Sequence, residues 1–230
     1  MQSAINAENI YIQNRLNNIE TEPLIDILKG YGFETLEDYY KQKAEWQLLH
    51  CGIKEVNRSV ADAFSTIDTL IQHELPSLLL VYHDYPFIWH GSKDYDLNQE
   101  AVDKYNIQVY EGGYIGGTIV GGAGDLSFGV VYPKTIDLRA DYFLDKLVEI
   151  FRAEGMNAEK DHNDILIDKK KVIGSATLEG VTFLGFVVFI SFSDQSEVIK
   201  EVCGINPKEP GYITKMTVED LEDKLRKWLL

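Results

Sequence analysis

The run from Asp161 to Ala176, DHNDILIDKKKVIGSA, and the apolar stretch that follows it set the tightest limits on the fold. Apolar residues on both sides of the lysines make DILIDKKKVIGSATL a hairpin, with the lysines at or just after its tip. The next stretch, VTFLGFVVFISF, is too short to span a bilayer and rich in β-formers, which predicts a long strand. A lysine run on a hairpin is ordinarily a solvated turn. Here it is joined directly to Val-Ile-Gly-Ser-Ala, which reads as buried. Lys169 and Lys170 fit the turn. Lys171 opens the apolar strand, and Gly174, Ser175 and Ala176 are small enough to leave room for a ligand. Of the three lysines, Lys171 is therefore the one expected to face inward or towards a pocket, although on the residues alone a solvated turn is the commoner use of such a run.

The remainder divides into a helical beginning and a mixed body. Residues 1 to about 75 read as helical. EPLIDILKGYGF ends in glycine, TLEDYYKQKAEWQLLHCG starts at Thr35 as N-cap, and SVADAFSTIDTLIQHEL starts at Ser59 and is broken by Pro76. From Ser77 the period changes. SLLLVYHDYPFIWHGS predicts two short strands joined near Tyr85-Pro86, YNIQVY another, and GGTIVGGAGDLSFGVVYP a glycine-rich segment running into a strand. TIDLRADYFLDKLVEIFRAEG is an amphipathic helix closed by Gly155. SDQSEVIKEVCG is a short helix capped by Ser193 or Asp194, and TVEDLEDKLRKWLL a last helix with Thr217 as N-cap and acids in its first turn. The expected class is α/β, or α+β, with mixed, largely antiparallel sheets flanked by helices.

Charge and cysteine content exclude several functions. Lys and Arg number 22 against 37 Asp and Glu, a formal charge of −15. That balance opposes nucleic-acid binding, which needs cations to displace counterions from phosphate. The start, MQSAINAENIYIQN, has neither a basic region nor an apolar core, so no signal peptide or membrane partner is expected. Two distant cysteines, Cys51 and Cys203, make no disulfide framework and suit a reducing cytoplasm.

Three features could carry chemistry. The segment YEGGYIGGTIVGGAGDLSFG is dense in glycine, which lets backbone approach a ligand closely. It is followed by a strand, not by a helix or by Gly-Lys-Ser/Thr, so it is neither a dinucleotide fingerprint nor a P-loop; tight sheet packing is the alternative. Cys203, in EVCGIN at the end of the short helix, would need an ammonium nearby to act as a nucleophile, and buried structural cysteine is the commoner fate. The histidines show no metal-ligand spacing; His83 and His90, on the strand pair, could line a pocket but are more simply satisfied sheet residues.

Taken together, these segments resemble the superfamily of lipoate-protein ligases, octanoyltransferases and biotin ligases. NDILIDKKKVIGSA looks like its N-D-(apolar)-x-(apolar)-x-G-K-K-(apolar)-x-G-S-A hairpin. GGTIVGGAGDLSF is similar to its glycine-rich strand, LLLVYHDYPFIWHG to the strand pair before it, and VCGINPKEPGYITKM to the P-C-G segment of octanoyltransferases. The likeness runs from about Ser59 to Met216. It implies a class II aminoacyl-tRNA synthetase/biotin synthetase-like fold, with residues 1–55 as a helical N-terminal extension and 56–230 as the catalytic domain. It implies that Lys171 is the central lysine, contacting the acyl carbonyl or adenylate, and that Cys203, thirty-two residues on, is the nucleophile. Asp164, Gly116, Gly117, Thr118, Gly121, Gly124, Gly174, Ser175 and Ala176 become the expected substrate-binding residues, with backbone N–H groups of Gly116, Gly117 and Gly174 to Ala176 as oxyanion donors.

The sequence also departs from the family pattern. Where the ligase branch carries two arginines for the phosphates of an acyl-adenylate, this chain has EGGYIGG, with Glu111. Gly121 and Asp125 stand where octanoyltransferases have histidine and glutamine, and LGFVVF replaces a His-Gly motif. The surviving Lys–Cys pair favours transfer of an octanoyl or lipoyl group to a lysine of a lipoyl domain, with an acyl carrier protein as donor partner. ATP and Mg would be needed only by the alternative, an adenylate-forming lipoate or biotin ligase. A degenerate relative that binds a ligand or a protein without catalysis is the third reading.

Overall fold

The computed structural model of the chain describes residues 1–50, 53–57, 60–73, 77–90, 97–111, 118–134, 140–204 and 208–229. Seven strands form the main sheet, in the spatial order β1 (Ile53–Asn57), β2 (Ser77–Tyr82), β6 (Leu126–Pro133), β10 (Phe183–Ile190), β9 (Lys170–Glu179), β8 (Asp164–Ile167) and β7 (Ala158–Asp161). Only the β1–β2 pair is parallel; every other neighbour runs antiparallel. A second sheet has three strands in the order β4 (Gln108–Glu111), β3 (Phe87–His90) and β5 (Ile119–Gly121), with β3–β4 parallel and β3–β5 antiparallel. The expected class, mixed and largely antiparallel sheets flanked by helices, is what the chain adopts.

The alternation of side chains explains why β2 and β10 read as unbroken apolar runs. Leu78 and Leu80 of β2, with Phe186, Val188 and Ile190 of β10, face one side. There they meet Phe143, Leu147 and Phe151 of α6 (Ala140–Ala153) and Leu221 and Leu225 of α8 (Val218–Leu229). Leu79, Val81, Val187 and Phe189 face the other side. They pack on Ile67, Leu70 and Ile71 of α4 (Val60–Gln72) and on Phe87 and Trp89 of β3. A strand buried on both faces has no polar face to show. The small sheet is itself covered: Ile88 and Val120 pack with Ala101 and Val102 of α5 (Gln99–Lys104) and Val202 of α7 (Ser196–Cys203). From one side to the other the layers are α6 and α8, the large sheet, α4 with the small sheet, and α5 with α7.

The N-terminal helices α1 (Gln2–Leu16), α2 (Leu24–Lys29) and α3 (Leu36–His50) have a separate small core of Ala4, Leu28, Phe33 and Tyr39. The buried Glu8 carboxylate accepts from the Tyr39 hydroxyl at 2.8 Å and pairs with Lys43. Thr35 caps α3 by accepting the Asp38 N–H at 3.0 Å. Thr217 and Asp220 form a reciprocal capping box at the start of α8, each backbone N–H donating to the other's side chain at 3.1 Å.

Some expectations need correction. The stretch read as helical to about residue 75 contains β1, where tertiary pairing with β2 outweighs local preference. Helix α7 is capped by Gln195, with no side-chain bond, rather than by Ser193 or Asp194. Asp194 does accept the Ser196 N–H at 3.0 Å, but Ser193 is engaged elsewhere, by Asp125. Helix α5 and strand β7 have no counterpart in the sequence reading. The expected cap at Ser59 and breaker at Pro76 lie outside the described residues. No described helix is long and apolar enough to cross a membrane.

Candidate active site

Strand β9 begins with a defect that re-aims its first side chains. The pairing with β8 shifts between Ile165 and Leu166: Ile165 faces Ile173, but Leu166 faces Lys171, so Val172 is an extra, bulged residue. Bulges kink a strand locally and turn its side chains. The hairpin turn before it places Asp168 and Lys169 at φ +50 and +68, where the lysine points to solvent. Lys170 pairs with Glu209 at 2.8 Å on the surface. Lys171 instead turns to the side of Asp164, with Nζ 2.9 Å from Oδ1, and remains about one-third exposed. Its stem passes over Gly174, where an added Cβ would lie 3.4 Å from Cε and 3.5 Å from Nζ.

The main chain of Lys171 is held by the segment after α7. Strand β10 accompanies β9 only as far as Ser191, whose N–H donates to the Val172 carbonyl at 2.9 Å. Beyond that point residues 209–211 take over β10's lane. The Lys171 N–H donates to the Glu209 carbonyl, and its carbonyl accepts from the Gly211 N–H, both at 2.8 Å. Gly211 is needed for this approach, since a Cβ there would lie 2.6 Å from the Lys170 Cβ.

A cavity of about 220 Å³ opens beside this junction. Lys171, Gly174, Val120, Phe189, Ile199 and Cys203 are among the residues lining it, with Ser191, Ser193 and Gln195 adding polar groups. Cys203 ends α7, half-buried against the core of the small sheet, and Gly204 follows at φ +70. The two residues expected to react, Lys171 and Cys203, therefore line one space.

The opposite rim depends on a residue the sequence reading did not single out as a site. Asp125, 1% exposed, lies just before β6. One oxygen accepts the Gly122 N–H at 2.8 Å; the other accepts the N–H groups of Phe192 and Ser193 and the Ser193 hydroxyl, each at 2.8 Å. Burial pushes the Asp125 carboxyl above its ordinary range, against the downward pull of those four donors. The carboxylate ties the β5–β6 turn to the segment that carries Ser193 and Gln195 into the cavity. The usable signal was an acid set between a glycine turn and an apolar strand, in GAGDLSF. Next to it, His83 is buried, with Nε2 2.7 Å from the Ser127 hydroxyl and its ring against Phe87. Burial pulls the imidazole down to about 4, so it is neutral at physiological pH. His90 Nδ1 pairs with the Thr118 hydroxyl at 3.0 Å.

The other expected site residues fall in several places. Thr118 and Gly174 line the cavity. Asp164 lies just behind it, holding Lys171. Gly121 packs instead beneath the rings of Phe87 and Phe189, where an added Cβ would overlap both. Gly124 serves a turn, at φ +91 with its N–H donated to the His83 carbonyl. The Ser175 N–H and hydroxyl both donate to the Asn163 carbonyl, at 3.0 and 2.8 Å, so that N–H is not turned to the cavity as an oxyanion donor. Ala176 lies further along β9, opposite Val187 and away from the lining. Gly116, Gly117 and Cys51 lie outside the described residues. Among the described residues, no group of His, Cys, Asp and Glu side chains could hold a metal ion.

Comparison with known proteins agrees with this architecture. No curated protein sequence matches the chain. Among solved structures, a bi-partite lipoate protein ligase from Thermoplasma acidophilum, described with its E2 lipoyl domain, is 16% identical. It superposes with a TM-score of 0.62 over 76% of this chain and 79% of its own. LipL1 of P. falciparum, in complex with lipoate, is 14% identical, with a TM-score of 0.65 over 75% of this chain and 57% of that one. A lipoate-protein ligase A bound with ATP is 15% identical, with a TM-score of 0.63 over 75% and 80% of the two chains. These likenesses establish a shared fold. The family model of the lipoyl protein ligase A/B catalytic domain matches residues 59–226, most of the sequence and all of the elements that build the cavity, and the chain belongs to that family.

Proposed function

We propose that this protein transfers an octanoyl or lipoyl group, by way of a thioester on Cys203, to a lysine of a small lipoyl domain. The observation that carries the reading is the joint lining of one cavity by Lys171 and Cys203. The Cys203 thiolate would attack the carbonyl of an acyl thioester on a carrier protein. The C–S bond to the carrier breaks, and the departing thiolate takes up a proton from the Lys171 ammonium, which becomes a neutral amine. The amine of the acceptor lysine then attacks the acyl-cysteine. An amide forms, the Cys203 thiolate leaves, and the proton lost by the acceptor amine restores the Lys171 ammonium. Residues 56–230 would supply this chemistry, with residues 1–55 as a helical extension. A reducing compartment such as the cytoplasm suits a working thiolate.

Lipoate attachment through an acyl-adenylate is the second reading, favoured by the fold shared with a ligase that binds ATP. It fits this chain less well. Lys170, Lys171 and Lys208 each already face a carboxylate, from Glu209, Asp164, or Asp161 and Asp164. Among the described residues, these three cations are thus already engaged and not left over for a nucleotide's phosphates and its Mg. Incubation with octanoyl carrier protein and an apo lipoyl domain, followed by intact-mass spectrometry, separates the two. The expected result is one octanoyl group on Cys203, lost in Cys203→Ala, and an acylated acceptor without ATP. Modification that requires ATP and survives Cys203→Ala would establish the ligase route. A Lys171→Ala, Cys203→Ala protein that still performs its role would leave only ligand or protein binding.

A further inference from the structure

We infer that Lys208 is a positioning residue for Lys171: by sharing Asp164, it keeps that carboxylate neutralised when the Lys171 ammonium turns towards the acyl carbonyl. The inference rests on the transfer role proposed above for Lys171.

Asp164 carries an ammonium on each oxygen. Lys171 Nζ is 2.9 Å from Oδ1, and Lys208 Nζ is 2.5 Å from Oδ2. Lys208 also lies 2.9 Å from Asp161 Oδ2, so two carboxylates and two ammonium groups form one neutral cluster. Also beside it are His162, exposed and 3.8 Å from Asp161, and Glu209, which pairs with Lys170. The Asp164 side chain is only 15% exposed. A carboxylate so far removed from water is costly to leave without a counter-charge. With Lys171 as sole partner, every movement of its ammonium towards substrate would meet that cost. With Lys208 in place the carboxylate stays paired, and the Lys171 side chain can leave it.

The geometry of the segment after α7 supports the division of labour. Residues 209 and 211 fix the Lys171 main chain through both its N–H and its carbonyl, while residue 208 of the same segment takes up the carboxylate that would otherwise hold the side chain. The lysine stem passes over Gly174, with its Cε and Nζ 3.4 and 3.5 Å from where a Cβ would stand. The backbone is pinned and the ammonium is released by one stretch of chain.

The test uses the full-length protein and two readouts. In octanoyl transfer from carrier protein to Cys203, Lys208→Met should lower kcat about tenfold with KM little changed, and Lys208→Arg should restore most of it. In an Asp164→Asn background, Lys208→Met should cause no further loss. Independently of turnover, an amine-acylating reagent should label Lys171 several-fold more slowly in Lys208→Met than in wild type, and faster in Asp164→Asn, as read by peptide mass spectrometry. Lys208→Gln repeats the test should the methionine variant fail to fold. Unchanged Lys171 labelling in the Lys208 variants, or an equal loss of transfer with and without the Asp164 carboxylate, would overturn the inference. A wild-type protein that takes no acyl group, yet shows the expected labelling pattern, would remove the proposed transfer reaction and leave the shared carboxylate standing.

Discussion

Each side of the cavity is organised by a single aspartate, and the two are held in opposite ways. Asp125 is buried and meets only neutral donors, three backbone N–H groups and one hydroxyl. Asp164 is partly open to water and meets two cations on long, flexible side chains. A buried acceptor with fixed backbone donors cannot change partners without leaving those donors unsatisfied. A carboxylate between two lysines can exchange one for the other at little cost. One wall is therefore scaffold and the other is adjustable. Substitutions on the first should register in stability, and those on the second in reactivity.

The largest expected effect is on the Asp125 side. Asp125→Ala leaves four donors without their acceptor and should cost about 4 kcal/mol in denaturant unfolding. A loss below 1 kcal/mol would break the contrast. Next comes His83, in contact with the same turn. Its imidazole titrates near 4 when folded and near 6.5 when unfolded. Between those values the unfolded chain binds the extra proton, so the stability that His83 contributes is complete above pH 6.5 and is lost as pH falls towards 4. The loss should reach roughly 3 kcal/mol and be absent in His83→Gln, as measured by urea unfolding across that window. Gly121→Ala, which drives a methyl into the Phe87 and Phe189 rings, should cost about 2 kcal/mol by the same assay. On the adjustable side, Asp164→Asn should change stability by only about 1 kcal/mol while altering Lys171 labelling, because asparagine keeps an oxygen acceptor and the two freed ammonium groups can reach water. The smallest effect belongs to Lys170→Ala. Its pair with Glu209 is exposed and neither side chain lines the cavity, so both the unfolding midpoint and acyl transfer should be unchanged.

The same contrast describes what could be read from the sequence. The Asp164 side was legible because its parts are neighbours in the chain: hairpin, lysines and small residues follow one another within DILIDKKKVIGSA. Its place at the start of the apolar strand made Lys171 the one of the three expected to face inward, the family resemblance gave it a role, and the structure gives the three lysines three different surroundings. What escaped was non-local or too short to show a pattern. The donors to Asp125 come from residues 192 and 193 as well as from Gly122. The bulge at Val172 depends on register with β8, and the replacement of β10 by residues 209–211 depends on where two strands part. Strand β7, with sequence AEKD, has no apolar alternation because it lies at a sheet edge. Helix α5 has six residues, fewer than two turns, too few for a helical period to emerge.

The lane that β10 vacates beside Lys171 has a consequence for the order in which the protein comes into being. During synthesis the β9 lysine leaves the ribosome well before Glu209 and Gly211, the residues that fix its backbone, and before Lys208 and Cys203. A nascent chain can complete the hairpin and pair it with β10, yet the reactive end of β9 has no neighbour on that side until the later segment emerges. Assembly of the sheet and assembly of the site are thus separate events, and the second waits for residues 203–211.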